Sequence, residues 1–178
     1  MHDTRNAQTL GKCEIVNDLD REFARLHLNS CAIIETTPLD ILYTIPAQAD
    51  MTFLSASLGS ASSVGECILK CAAAIEQTFG GITANLWDDP FEWTLPEHLS
   101  TPDRINEHLA EVEATRRCAF SSFCDDASLL KHVVVPSGES QPLIDLLRET
   151  LRRAANHQAH ALVMLKTLSG NSPPGFII

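Results

Sequence analysis

The stretch Pro142–Gly170, PLIDLLRETLRRAANHQAHALVMLKTLSG, decides the fold of this chain. Its apolar residues recur at intervals of three and four, which places them on one side of an α-helix. That side consists of Leu143, Leu147, Leu151, Ala154, Ala161, Leu165 and Leu168. Pro142 suits the first turn of a helix, and Gly170 suits its end. The pattern therefore predicts a long helix that starts near Ser140 and buries one face.

Three further helices are predicted upstream of this one. The first runs from about Asn17 to Thr37 and ends because Pro38 pushes the preceding residue out of the helical region. The second opens with the capping-box pattern of residues 63–66 and closes at Gly80-Gly81. The third opens at residues 100–103 with a cap candidate followed by proline. Four amphipathic helices in 178 residues indicate an all-α four-helix bundle.

The segments between these helices predict little additional regular structure. The connection between the second and third helices is long and holds Trp87, Phe91 and Trp93. We expect this aromatic loop to fold over the bundle, either as a hydrophobic plug or as a lid over a pocket. Residues 131–138, KHVVVPSG, form a short extended piece that is too short to build a sheet. No linker divides the chain, so a single domain over residues 1–178 is expected, with its core at about residues 17–170.

Composition restricts the classes of partner. A net charge of −10 argues against binding a nucleic-acid backbone, which requires clustered lysine and arginine. The chain has no run of about 18 apolar residues, so no membrane span is predicted. The six cysteines include no CxxC pair, and the amino end has no apolar core of signal-peptide length. Together these features favour a reducing cytoplasm.

Two histidines in the fourth helix are the most conspicuous candidates for chemistry. His157 lies close to the apolar side of the helix, whereas His160 lies at its boundary. Cys71 lies near the centre of the apolar side of the second helix. Imidazole and thiolate from facing helices suit zinc or a similar ion. The alternative is structural, with a partly buried histidine that bonds a neighbouring carbonyl and a thiol that packs as a small hydrophobe.

Arg116 is a second unusual residue, because it falls in the middle of the apolar side of the third helix. A long cation there must pair with a carboxylate or extend to solvent. One interpretation is that Arg116 holds an anionic group of a substrate. The other is a structural pair with Glu35 or Glu76. Several catalytic sites are excluded, since the chain has no HExxH, GxSxG, phosphate-binding glycine loop or di-iron Glu-x-x-His motif.

The order of these features resembles the DinB/YfiT-like four-helix-bundle family. The segment TPLDILYTIPA (residues 37–47) is similar to the turn after the first helix of that family. The segment SSVGECILKCAAAIEQTFGGI (residues 62–82) is similar to its second helix. Residues 133–170 are similar to its extended segment and last helix, where the motif reads approximately Asn-His-x-x-x-His. The resemblance covers roughly residues 17–170.

The resemblance implies a particular site. The family carries a metal-binding triad of histidines, whose positions fall here on Cys71, His157 and Ala161. The expected protein is therefore a DinB-like relative with a degenerate metal site that binds a small molecule or is non-catalytic, without a cofactor. The alternative is a metal-dependent thiol transferase or hydrolase that holds Zn or Ni through Cys71, His157 and water, with His160 as a weaker candidate ligand. The pocket would include Arg116, Trp87 and Trp93, and a homodimer is expected.

Overall fold

The computed structural model describes residues 13–45, 62–90 and 99–169. Within these ranges the chain is helical apart from one short hairpin, so the all-α prediction is confirmed there. The elements are α1 (Glu14–Thr36), α2 (Val64–Ala84), α3 (Pro102–Ser121), a 3₁₀ helix (Asp126–Leu130), β1 (His132–Val134), β2 (Ser140–Pro142) and α4 (Leu143–Ser169). None of these helices combines the length and apolarity that crossing a bilayer requires. All six cysteines lie in these ranges as free thiols.

The four α-helices pack around one core. Helix α2 packs against α3 and α4, and α1 packs against the same two helices, so α1 and α2 lie on one diagonal. Three phenyl rings meet at the centre, with centroids 5.2 to 5.9 Å apart in tilted or edge-on pairs that suit aromatic packing: Phe23, Phe79 and Phe120. Helix α4 therefore forms two seams, one with α1 and one with α2.

Helix α2 starts as predicted but ends later. Ser63 Oγ accepts the backbone N–H of Glu66, and the Glu66 carboxylate accepts the backbone N–H of Ser63, which completes the capping box. The predicted end at Gly80-Gly81 is wrong, because both glycines remain helical. Asn85 ends the helix instead, with a left-handed φ of 57°.

Gly81 is required for a reason other than helix termination. A Cβ atom at this position would lie 2.3 Å from Cε3 of Trp87, so the indole ring occupies the space that a side chain would need. Trp87 is half-buried against the core, and Gln77 donates a hydrogen bond to its carbonyl at 2.9 Å. This part of the aromatic loop packs against α2. The other two aromatic residues of the loop, Phe91 and Trp93, lie outside the described residues.

The segment before α4 differs from the prediction. Residues 132–134 pair with residues 140–142 in an antiparallel hairpin, although the sequence predicted no sheet. The turn is closed by a hydrogen bond from the Gly138 amide to the Val135 carbonyl at 2.8 Å, and Gly138 has a φ of 82° that glycine tolerates. Pro142 therefore ends β2 instead of lying in the first turn of α4, which begins at Leu143.

Candidate functional site

The Cys71 side chain is enclosed in the core. Cys71 is 1% exposed, and its Sγ atom lies 4.0 Å from Oγ of Ser30 in α1. Burial raises the pKa of the Cys71 thiol to about 12, against an opposite effect of its contact with Ser30. A metal ligand must be the thiolate, so this environment favours the protonated form that packs as a hydrophobe.

His157 lies in a different environment, at the seam between α2 and α4. It lines a hollow of about 220 Å³ together with Lys70, Ala73, Ala74, Gln77, Asp89 and Arg153. Cys71 is not part of that lining. Burial lowers the pKa of His157, and nearby His160, Lys70 and Arg153 lower it further, against an opposite effect of Asp89. Burial and then the cationic neighbours thus favour the neutral form of the imidazole.

His160 lies beside His157, with the two ring centroids 6.5 Å apart and the rings nearly perpendicular. Burial lowers its pKa, and Lys70 lowers it further. Ala161, where the resemblance placed the third histidine of the triad, is fully buried in the core and offers no donor atom. The described ranges contain no group of three or more His, Cys, Asp or Glu side chains that could hold a metal ion. Cys71, His157 and Ala161, where the resemblance placed the triad, therefore do not fit a metal centre.

Arg116 is held by carboxylates other than the two predicted from the sequence. Its guanidinium donates from Nε and Nη2 to the two oxygens of Glu113, each at 2.7 Å, and from Nη1 to the carboxylate of Asp20. Glu113 lies one turn earlier on α3, and Asp20 lies on the neighbouring α1. The predicted pairing with Glu35 or Glu76 is wrong, because the guanidinium bonds Glu113 and Asp20 instead. The carboxylates of Glu113 and Asp20 thereby compensate the positive charge of Arg116.

A larger cavity lies elsewhere, in the seam between α1 and α4. This α1–α4 groove has a volume of about 530 Å³, within the range of small-molecule sites. Helix α1 contributes Glu22, Arg25, Leu26 and Asn29, and α4 contributes Arg148, Leu151, Arg152, Ala155 and Gln158. The residues from each helix follow the i, i+3, i+4, i+7 spacing of a single helical face. Cys71, His157, Arg116 and Trp87 do not line this groove.

Gln158 is the buried polar residue of the groove. It is 6% exposed, and its Nε2 atom donates to the carbonyl of Leu26 and to Oγ of Ser30, each at 2.7 Å. These two acceptors fix the orientation of the amide. The remaining atom, Oε1, accepts no hydrogen bond from any described residue. Gln158 therefore offers an unpartnered acceptor to the groove that it lines.

Three guanidinium groups surround the groove. Arg25 pairs with Glu22 across one turn of α1, and Arg152 makes a bidentate pair with Glu149, one turn earlier on α4. Arg148 makes no hydrogen bond or ion pair with any described residue. Only one carboxylate, that of Glu22, is part of the lining. The groove consequently carries a local positive excess on a chain whose net charge is −10.

This groove was not predicted from the sequence. Its signal was present in α4, where Arg148, Arg152, Ala155 and Gln158 interrupt the boundary of the apolar side at helical spacing. The same spacing places Arg25 and Asn29 on one edge of α1. Each edge alone is typical of a solvated helix surface. Only the packing of α1 beside α4 brings the two edges together.

The chain was compared with protein-family models, with curated proteins and with solved structures, and none of them matches it.

Proposed function

We propose that this chain is a non-catalytic, small-molecule-binding four-helix protein whose ligand site is the α1–α4 groove. The observation that carries the proposal is the unpartnered Oε1 of Gln158 at a cavity of about 530 Å³. A ligand that donates a hydrogen bond to this acceptor would take the place of solvent in the groove. The combination of a concave apolar surface with few oriented polar groups is typical of ligand sites.

The proposal requires no metal ion. The position expected for a family metal ligand holds Ala161, and the Cys71 thiol contacts Ser30 in the core. We propose that the chain is a relative of the DinB/YfiT-like bundles in which binding replaced metal chemistry. The homodimer expected from the resemblance and the cytoplasmic location expected from the cysteine pattern remain predictions. Light scattering of the purified chain would measure the first of them.

A fragment titration followed by nitrogen-15 NMR tests the location of the site. We expect bound fragments to shift the backbone amides of Leu26, Asn29 and Ala155, and to do so equally after treatment with a chelator. Fragments that shift only the amides around His157, or that bind only when zinc or nickel is added, would contradict the proposal.

A matched pair of substitutions sharpens this test. Ala155 and Ala159 are both exposed on α4, but only Ala155 lines the groove. Ala155→Trp should fill the groove and abolish fragment binding. Ala159→Trp adds the same bulk one turn later and should leave binding unchanged. Equal effects of the two substitutions would show that the groove is not the site.

A further inference from the structure

The ligand class of the α1–α4 groove follows from its charges, and this inference rests on the proposed function. Arg25, Arg148 and Arg152 face a lining that contains one carboxylate. The carboxylates of Glu22 and Glu149 each compensate one guanidinium, which leaves Arg148 without a counter-ion among the described residues. A group that brings negative charge to Arg148 would complete the charge balance.

The shape of a guanidinium restricts the anion further. Arginine presents its donors in a planar fork that matches the oxygens of a carboxylate or a phosphate. Arg148 and Arg152 lie one turn apart on α4, and Arg25 lies across the seam on α1. An oxyanion between the two helices can therefore be approached from both sides. Arginine prefers such an oxyanion head to a spherical anion because the head accepts two parallel hydrogen bonds.

The remaining lining residues indicate the polarity of the ligand outside its oxyanion head. Leu26, Leu151 and Ala155 provide an apolar surface that would cover a short hydrocarbon chain. Gln158 offers Oε1, which is an acceptor only. A ligand hydroxyl or amine can satisfy this atom, whereas an ether or a second carboxylate cannot.

We propose that the α1–α4 groove binds a small organic acid with an oxyanion head, a short apolar chain and one hydrogen-bond donor. The head contacts Arg148, with Arg25 and Arg152 beside it. The donor contacts Oε1 of Gln158. The apolar chain covers the leucine and alanine surface between them.

Isothermal titration with four matched probes tests this assignment: 3-hydroxyhexanoate, hexanoate, hexyl phosphate and 1,3-hexanediol. We expect 3-hydroxyhexanoate to bind about tenfold more tightly than the uncharged diol, since hydrogen bonds to charged groups contribute most. It should also bind about fivefold more tightly than hexanoate, which lacks the donor. Hexyl phosphate binding more tightly than hexanoate would support an organic phosphate as the source of the oxyanion, and the reverse order a carboxylic acid.

Two variants assign these differences to residues. Arg148→Gln removes an exposed charge without breaking any contact among the described residues, so the fold should be retained. It should weaken every charged probe about tenfold and leave the diol unchanged. Gln158→Leu should abolish the preference for 3-hydroxyhexanoate over hexanoate. Arg117→Gln, an exposed arginine of α3 outside the groove, is the control and should change nothing.

The outcomes separate this inference from the proposed function. If the diol binds in the groove as tightly as the acid, or if Arg148→Gln leaves all affinities unchanged, the ligand class is wrong while the groove remains a binding site. If none of the four probes binds at millimolar concentration and no fragment shifts the amides of the groove, both proposals are wrong.

Discussion

The amide of Gln158 in α4 bonds the hydroxyl of Ser30 in α1, with Nε2 and Oγ 2.7 Å apart inside the bundle. Both side chains are buried, and the same Nε2 atom also donates to the Leu26 carbonyl. A buried polar link of this kind aligns two helices because any other register would leave its atoms unpaired. It also holds the acceptor Oε1 in position for the groove.

Gln158→Leu should lower the free energy of unfolding by about 1–3 kcal/mol, because Ser30 would lose its buried donor. Ser30→Ala should cost about 1 kcal/mol. Since the two residues contact each other, the double variant should cost less than the sum by about 0.5–1.5 kcal/mol. Urea denaturation of the four proteins measures the coupling. Strict additivity would show that the link contributes nothing to stability.

Arg116→Met should destabilise the bundle, because Glu113 would lose a bidentate partner at a side chain that is only 15% exposed. We expect a loss of about 3 kcal/mol, the lower end for a broken buried pair, since the other partner, Asp20, is 43% exposed. Urea denaturation would measure the loss. Arg21→Met, which breaks the exposed pair with Asp18, is the control and should cost clearly less. A larger effect at Arg21 would contradict this account.

Gly81→Ala should displace Trp87, since the new methyl group would overlap the indole ring. Overpacking of this kind costs about 1–3 kcal/mol, partly offset by about 1 kcal/mol of helix propensity. In a Trp93→Phe background Trp87 is the only tryptophan of the chain, so its fluorescence should shift to longer wavelength. Gly80→Ala places its Cβ 3.2 Å from the carbonyl oxygen of Leu86 and far from the ring, so it should leave the spectrum unchanged.

His157 should make stability depend on pH. Its pKa is lowered in the folded chain, chiefly by burial and then by His160, Lys70 and Arg153. The unfolded chain therefore binds more protons, and stability falls as the pH drops from the ordinary histidine value, about 6.5, toward the lower folded value. Above that window this contribution is constant.

His157→Gln removes this contribution, so the variant should lose less stability than the parent between about pH 8 and about pH 5. Urea denaturation at both pH values gives the comparison. His132→Gln, at an exposed position of β1, is the control and should keep the pH dependence of the parent. A parent-like dependence in His157→Gln would show that other groups cause the effect.

Much of the secondary structure follows from local chemistry. The capping box at Ser63 and the Thr101-Pro102 start of α3 appear in the structure as predicted, because both depend on residues within one turn. The apolar side of α4 is also as predicted, with Ala154, Ala161 and Leu165 buried. The errors arose where two local preferences competed. Gly80-Gly81 stayed helical under the Trp87 ring, and Pro142 joined a strand instead of the first turn.

Less of the candidate site than of the secondary structure could be predicted from the sequence. Periodicity placed Cys71 and His157 near the inward sides of their helices. It does not show which residues of the neighbouring helices each side chain contacts. Cys71 faces Ser30 of α1, and His157 lines the hollow beside Lys70. Arg116 was recognised as a buried cation, yet its partner on α1 lies 96 positions away in the sequence.

The sequence by itself determined the four helices, the caps at Ser63 and Thr101, the buried face of each helix and the absence of a donor at Ala161. Only the tertiary structure decided that Arg25, Arg148, Arg152 and Gln158 share one groove. The physical reason is that a helical period of 3.6 residues fixes which side chains share a face, whereas the choice of neighbouring helix depends on how all four faces pack together.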